Sequence, residues 1–193
     1  MFVPEVRHPT ASTSIVGEEF CFPYLVDLTV KKKNIGFSSK HVNVLDDNGS
    51  TLVQVEGGFW QFKKKRTMYD PVGAPIITMR QKKVSWRQEW IVHRGDGDNL
   101  LYTVVQQTSP IQLKTQLQVF LASNLTAQIC DFRVVGSYLS QSFKVYKGDT
   151  VIAEVKQRFK LGSLGKEIFE ARIYPGIDYV FIVSLLVILN EID

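Results

Sequence analysis

The last sixteen residues, 178–193, place the strongest constraint on the fold of this chain. Ten of the eleven residues from Tyr179 to Leu189 are apolar and only Ser184 is polar, so no face of the segment suits water. A helix that is apolar all round lies inside a protein core or a membrane. Twelve residues make about 18 Å of helix, whereas the hydrocarbon core of a bilayer is about 30 Å thick. Because the segment is too short to span a bilayer unaided, the rest of the chain has to enclose it.

A buried strand is the alternative for this segment, because β-branched residues are frequent in it and continuous apolar runs also occur in strands covered on both faces. Its length favours a helix, at about residues 177–190. Pro175 and Gly176 break the preceding structure, and Asp178 can accept hydrogen bonds from the first free backbone N–H groups. Asn190, Glu191 and Asp193 end the apolar run, although carboxylates are unfavourable at the negative end of the helix dipole.

Short apolar runs separated by turn residues dominate the chain before this segment. Residues 1–20 contain two prolines and a Ser/Thr cluster and predict an extended or flexible lead-in, which leaves residues 21–193 as one domain. Many short strands at regular spacing favour a barrel or sandwich over βαβ units. Twelve candidate strands lie at 25–31, 41–45, 51–55, 66–69, 75–80, 89–93, 100–106, 117–122, 131–136, 142–146, 151–155 and 168–174.

A local pattern, Asp-x-x-Gly followed by paired apolar residues, occurs at Asp46–Gly49 and again at Asp70–Gly73. It predicts hairpin turns in which Asp caps its own turn and Gly supplies a positive φ. Clustered Asp and Asn residues also invite a calcium site. The remaining ligands of a calcium loop and its distal Glu are missing, so turn chemistry is the favoured interpretation.

Motifs for catalysis, metal binding or phosphate binding are absent from the sequence. The segment 162–166 lacks the first Gly of a phosphate-binding loop, and no G-x-S-x-G elbow occurs. His8, His41 and His93 have no metal-ligand spacing among themselves or with either cysteine. We therefore expect a protein that is not an enzyme and that has no metal and no cofactor.

Cys21 and Cys130 could pair, but two cysteines do not make a disulfide framework. The N-terminus has no apolar core of a signal peptide and no Gly at position 2 for myristoylation. These features predict a reduced, intracellular protein, cytoplasmic with peripheral membrane or nuclear location as alternatives. A monomer without a transmembrane span is expected.

Basic residues are concentrated in the first half of the chain. The net charge is +4, and residues 1–95 contribute +5 of it while residues 96–193 contribute −1. This asymmetry predicts a basic face and an anionic partner. Three basic runs are the candidate ligand-binding residues: Lys63, Lys64, Lys65 and Arg66; Lys31, Lys32 and Lys33; and Lys82 and Lys83 with Arg87.

Solvated turns and edge strands also collect lysines, which discourage aggregation there, so each run taken alone has a structural interpretation. Phe59, Trp60 and Phe62 precede the densest run and are either barrel-wall residues or interfacial anchors beside a basic patch.

From about Glu18 to the C-terminus the order of motifs resembles the plant LURP-one-related family. The segments that carry the resemblance are EEFCFPYLVDLTVKKK, VLDDNGSTLVQVEG, MYDPVGAPIITMRQKK, WRQEWIVHRGD, DFRVVGSYLSQSFKVYKGDTVIAEV and YPGIDYVFIVSLLVILNEID. The resemblance implies a mainly β fold, a closed twelve-stranded tubby-like β-barrel that encloses a central hydrophobic C-terminal α-helix. It implies the helix, not the strand, for the C-terminal segment.

Three functional hypotheses remain. The first is a non-enzymatic module that binds anionic phospholipid headgroups or a membrane surface in plant signalling or defence, since the superfamily that the resemblance implies includes scramblases and phosphoinositide-holding tubby proteins. The second is a protein-interaction module without a lipid ligand. The third, a membrane-tethered transcription regulator, is the weakest, because no recognition-helix motif for nucleic acid is visible.

Overall fold

Twelve antiparallel β-strands surround one C-terminal helix. The structure is a computed structural model and describes residues 12–35, 39–57, 64–82, 88–107, 115–137, 142–161 and 166–192. The strands are β1 (Val26–Ile35), β2 (Ser39–Leu45), β3 (Thr51–Glu56), β4 (Lys65–Tyr69), β5 (Pro75–Gln81), β6 (Glu89–Arg94), β7 (Leu100–Gln107), β8 (Gln116–Leu121), β9 (Phe132–Ser137), β10 (Ser142–Lys147), β11 (Thr150–Leu161) and β12 (Lys166–Ile173), and the helix is α1 (Tyr179–Ile192).

Each strand pairs with its neighbours in sequence, and β12 pairs with β1 to close the barrel. The closing register runs from Val26 opposite Ile173 to Lys33 opposite Lys166. All twelve strand positions predicted from the sequence are confirmed. The lengths predicted for β1 and β11 were too short, since these strands are 10 and 12 residues long. Both strands continue through segments with several basic residues, beyond the part in which apolar and polar residues alternate.

The apolar segment is a helix, and it forms the centre of the core. Every residue from Tyr179 to Leu189 is buried. The ring of Phe181 lies 5.2 Å from that of Tyr102 on β7 and 4.9 Å from that of Phe132 on β9. Ser184, the one polar residue of the run, lies 2.6 Å from the Tyr102 hydroxyl and donates to the Phe181 carbonyl oxygen. The helix therefore brings no unpaired hydroxyl into the apolar core.

The first turn of α1 is held by the Asp178 carboxylate, which is fully buried. Its Oδ1 accepts a hydrogen bond of 3.0 Å from the Phe181 N–H, as the sequence predicted for a cap. Its Oδ2 accepts three more from the N–H groups of Ile15, Val16 and Gly17, at 3.2, 2.7 and 3.2 Å. Burial raises the pKa of this carboxyl, and the four backbone donors oppose the rise.

Residues 12–22 lie across the barrel end where α1 begins. Thr13 pairs with Ile177 and Cys21 with Asp178 in isolated β-bridges. The rings of Phe20 and Phe22 lie 5.7 and 5.5 Å from that of Tyr179. Both cysteines of the chain are free thiols. Within the described residues, no helix reaches the length and apolarity that a bilayer crossing requires.

We expect Leu185→Ala to lower the free energy of unfolding by about 2–5 kcal/mol, because its side chain is removed from a close-packed site with no exposure. Leu185→Asp should give insoluble or molten protein, since total domain stability is only about 5–15 kcal/mol. Urea denaturation measures the first variant and near-ultraviolet circular dichroism the second.

Leu125→Ala is the matched control, because that leucine is 92% exposed and its truncation should change stability by less than about 0.5 kcal/mol. Equal effects of the two alanine substitutions would contradict an enclosed helix.

Candidate functional site

The described members of the three basic runs meet at one end of the barrel. β1 ends there, β4 begins there and β5 ends there, because neighbouring strands are antiparallel. This end, where α1 finishes, carries Lys31–Lys33, Lys64–Arg66 and Lys82, and is called the basic end below. Lys63, Lys83, Arg87, Phe59, Trp60 and Phe62 lie outside the described residues.

Two of these cations point into the barrel. Successive side chains of a strand alternate between its faces, so Lys32 shares the inner face of β1 with Leu28 and Val30, and Arg66 shares that of β4 with Met68. The side chains of Lys32 and Arg66 are each only 12% exposed. Lys32 and Arg66 therefore do not belong to the outer surface of the barrel.

Lys32 is neutralised across the closing seam of the barrel. Its Nζ lies 2.9 Å from Oε2 of Glu167, which is directly opposite on β12. The Glu167 side chain is 14% exposed, so the pair is largely shielded from water. A half-buried pair of this kind stays together because separating the partners would leave a charge in a poorly solvated place.

Arg66 and Lys64 bind the last turn of α1. The Arg66 Nε and Nη2 donate to Oε1 of Glu191 at 3.2 and 2.8 Å, and the Glu191 side chain is only 7% exposed. Lys64 Nζ donates to the Glu191 carbonyl oxygen at 2.9 Å, and the Asn190 side chain donates to the Leu186 carbonyl oxygen. These cations offset the unfavourable position of a carboxylate at the helix C-terminus.

Gly57 makes room for the Arg66 guanidinium. A Cβ at Gly57 would collide with the end of the Arg66 side chain and would lie 2.7 Å from the Lys65 carbonyl oxygen. Because the second contact is with backbone, it could not be relieved by rotating a side chain. The absence of a side chain at Gly57 is therefore part of how the inward position of Arg66 is achieved.

A cleft opens beside these ion pairs at the basic end. It is narrow and partly open to solvent. Its floor is apolar and its polar groups are those of the two ion pairs and the helix end. The lining residues are Val30, Lys32, Val42, Val55, Arg66, Phe169, Leu186, Val187, Asn190 and Glu191.

Of the remaining described cations of the basic end, Lys31, Lys33, Lys65 and Lys82 face outward, whereas Lys64 reaches the end of α1. Lys65 lies 2.8 Å from Asp96, and its hydrogen bond is the main cause that lowers the pKa of that carboxyl. Lys82 lies 3.1 Å from Glu89. Among the described residues, Lys31, Lys33 and Lys64 are exposed and have no carboxylate within ion-pair distance.

The opposite end of the barrel is acidic. Its connecting segments contain ten Asp or Glu residues and no Lys or Arg. The described Lys and Arg residues lie on the strands or at the basic end, and two of them, Arg94 and Lys147, directly precede segments of this end. This end, called the acidic end below, consists of residues 12–25, 46–50, 70–74, 95–99, 122–131, 148–149 and 174–178. Acids are thus concentrated at this end, which the first-half and second-half totals of the sequence do not reveal. The separation is incomplete, because Asp96 lies within ion-pair distance of Lys65 and Arg80.

The repeated Asp turns belong to the acidic end and have the predicted hairpin chemistry. Asp46 Oδ1 accepts from the N–H groups two and four residues later at 3.0 and 2.7 Å, and Asp70 Oδ1 does the same at identical distances. Gly49 and Gly73 have φ values of 81° and 89°. In the described parts of the chain, no group of three His, Cys, Asp or Glu residues could hold a metal ion.

The described histidines do not assemble a reactive group either. His41 Nδ1 lies 3.9 Å from Glu56 on the barrel surface. His93 is buried, and within the described structure its Nδ1 has no hydrogen-bond partner, as is also true of Nε1 of the buried Trp90. The residues directly opposite His93 and Trp90 on β5 and β7 are uncharged, so neither ring faces a carboxylate across the sheet.

A family model described as LURP-one-related matches residues 26–190. The chain belongs to the LURP-one-related family. The matched span runs from the first residue of β1 to the last turn of α1, so it includes both barrel and enclosed helix.

Relatives in Arabidopsis thaliana match over nearly the whole chain. The chain is 42% identical to protein LURP-one-related 14, with 92% of this chain and 90% of the relative covered. It is 38% identical to protein LURP-one-related 15, with 96% and 88% covered. An X-ray structure of an Arabidopsis thaliana protein that is 32% identical superposes with a TM-score of 0.71 over 93% of this chain and 98% of that one.

We expect Arg66→Met to lower the free energy of unfolding by about 2–4 kcal/mol, because it leaves the Glu191 carboxylate shielded from water without its guanidinium partner. Adding Glu191→Gln to that variant should restore at least half of the loss. Chemical denaturation of the four proteins of this cycle measures the coupling between the two residues.

Lys82→Met is the control, since the Lys82 side chain is 52% exposed and its pair should contribute less than about 1 kcal/mol. A loss on Arg66→Met no larger than that of the control would show that the inward ion pair does not hold the helix end.

Proposed function

We propose that this LURP-one-related protein is a non-enzymatic module that binds anionic phospholipid headgroups at a membrane surface through its basic end. The observation that carries the proposal is that the described members of three basic runs, distant in sequence, lie at one barrel end. The acids at the other end add to it, because an anionic leaflet attracts one end and repels the other. Such a charge arrangement favours a single orientation on the membrane.

The exposed lysines Lys31, Lys33 and Lys64 make the first contact in this proposal. Each basic residue near an anionic leaflet contributes about 1 kcal/mol, so three contribute about 3 kcal/mol. Binding of that strength alone is weaker than millimolar. Stable attachment therefore needs a second contribution.

Two sources could supply that second contribution within the same proposal. The sequence offers Lys63, Lys83 and Arg87 and the aromatic residues Phe59, Trp60 and Phe62, which act as interfacial anchors in this account. The cleft offers an apolar floor beside Lys32 and Arg66. Because Glu167 and Glu191 already neutralise those two cations, a headgroup would have to displace a carboxylate to reach them.

Vesicle co-sedimentation tests the proposal. We expect wild-type protein to sediment at low salt with vesicles of phosphatidylcholine that contain phosphatidylserine or a phosphoinositide, and not with phosphatidylcholine alone. Replacing Lys31, Lys33 and Lys64 by Gln should weaken binding more than a hundredfold, which corresponds to about 3 kcal/mol. Salt should weaken it as well, since the Debye length falls from about 10 Å at 0.1 M to about 3 Å at 1 M.

The matched control replaces Lys144, Lys147 and Lys156 by Gln, because these lysines are also exposed and the net charge changes equally. That variant should bind nearly as wild type does. If both triple variants lose the same affinity, or if wild type fails to bind any anionic vesicle, the basic end is not a lipid-binding surface.

A further inference from the structure

Several aliphatic side chains at the acidic end are exposed to solvent. Val72, Leu125 and Ile129 are 89%, 92% and 80% exposed, and Leu100 is 39% exposed. They lie on or beside the turns that join β4 to β5, β6 to β7 and β8 to β9. Single exposed aliphatic residues are ordinary, but several on successive turns of one barrel end form a patch that calls for a partner.

Local hydrogen bonds fix the backbone of the turns that carry these side chains. Asp70 binds the Val72 and Ala74 N–H groups, as described above. In the β8–β9 segment, Asn124 donates to the Ile129 carbonyl oxygen at 2.8 Å and to Asp131 at 2.9 Å, and it accepts from the Ala127 N–H at 3.1 Å. The backbone is thus fixed while the aliphatic side chains remain in water.

These turns are neighbours around the barrel rim. The Gly95 N–H donates to the Ile76 carbonyl oxygen at 2.8 Å, which ties the β6–β7 turn to the start of β5. The Ala122 N–H donates to the Leu101 carbonyl oxygen at 2.9 Å, which ties the β8–β9 segment to the start of β7. Successive turns at one barrel end are two strands apart, or about 10 Å.

Acidic and aliphatic residues alternate along this rim. In strand order, the successive turns present Asp47, then Val72, then Asp98 with Leu100, then Leu125 with Ile129, and then Asp149. The Asp98 side chain is 97% exposed although it lies 3.8 Å from Arg80, and Asp47 and Asp149 are exposed as well. The rim therefore offers apolar contacts among more carboxylates than cations, the cations being Arg94 and Lys147 at the ends of β6 and β10.

This arrangement selects among possible occupants. An anionic leaflet would be repelled by the carboxylates. Two acidic ends facing each other would repel in the same way. A positively charged segment with apolar side chains matches both features of the rim.

We propose that the acidic end is a docking surface for a basic protein segment that carries aliphatic or aromatic side chains. Its Lys or Arg residues lie beside Asp47, Asp98 and Asp149, and its apolar residues lie against Val72, Leu125 and Ile129. An extended chain advances about 3.3 Å per residue, so neighbouring turns are about three residues apart along it. Basic and apolar positions of the partner are then spaced by about three residues.

Selection from a random peptide library displayed on phage tests this surface, and the natural partner need not be identified for it. Wild-type protein is the bait, and each enriched peptide is then synthesised and measured against two variants. One replaces Val72, Leu125 and Ile129 by Ser, and the other replaces Asp47, Asp98 and Asp149 by Asn. We expect enriched peptides to combine Lys or Arg with Leu, Ile, Phe or Trp and to lose at least tenfold in affinity for both variants.

The control replaces Glu89, Glu154 and Glu170, acids outside the acidic end, by Gln, and affinity for it should stay within twofold of wild type. Unchanged melting temperatures of all variants show that the fold is retained. Peptides that are acidic or uncharged, or that bind both acidic-end variants as well as wild type, overturn the proposal.

Two further measurements separate the other occupants. Sedimentation velocity of wild-type protein detects a second copy, and vesicle binding by the Val72, Leu125 and Ile129 variant detects a membrane. Concentration-dependent association that this variant abolishes, or vesicle binding that it abolishes, would replace the peptide partner and overturn the proposal. Loss of vesicle binding on the Lys31, Lys33 and Lys64 variant alone concerns the basic end and leaves the docking surface intact.

Discussion

The rest of the structure depends on keeping the apolar helix α1 away from water. The barrel supplies the enclosure, but a helix also has unpaired backbone groups at both ends. At the start of the helix, the Asp178 carboxylate accepts a hydrogen bond from the first turn. It also accepts hydrogen bonds from the N–H groups of residues 15–17, which holds this segment across the barrel end. At the end of the helix, Arg66 donates to the Glu191 carboxylate and Lys64 donates to the Glu191 carbonyl oxygen. Polar groups that cap the helix therefore also close the barrel.

This constraint divides the basic residues by role. Lys32 and Arg66 face inward, each beside a carboxylate, and serve the closure of the barrel first. Lys31 and Lys33 keep exposed ammonium groups at the same end, and Lys64 is exposed while it also binds the last turn of α1. Because most acidic turns lie at the opposite end, the two ends of the barrel differ in charge. The lipid and peptide proposals assign one ligand class to each end.

The order and positions of the strands followed from apolar runs and turn residues, and the helix followed from a segment with no polar face. The sequence did not show which lysines face into the barrel. Three consecutive lysines alternate between the two faces of a strand, so the run itself does not say which of them is on the inner face. The partners Glu167 and Glu191 are more than 120 residues from Lys32 and Arg66, so only the closed topology reveals them. The acidic end was not predicted for the same reason. A signal for it was present in the sequence, because every second loop between the strands contains Asp or Glu.

Native-state hydrogen exchange of the α1 amides is the most direct test of an enclosed helix. If the helix can leave the core only when the barrel unfolds, the amides of residues 182–189 should exchange with the global free energy of unfolding. The amides of the barrel strands should exchange with the same free energy. That free energy should equal the value from chemical denaturation. Exchange of the helix at a clearly lower free energy than β1, β7 and β12 would show that it detaches by itself, and would contradict the account.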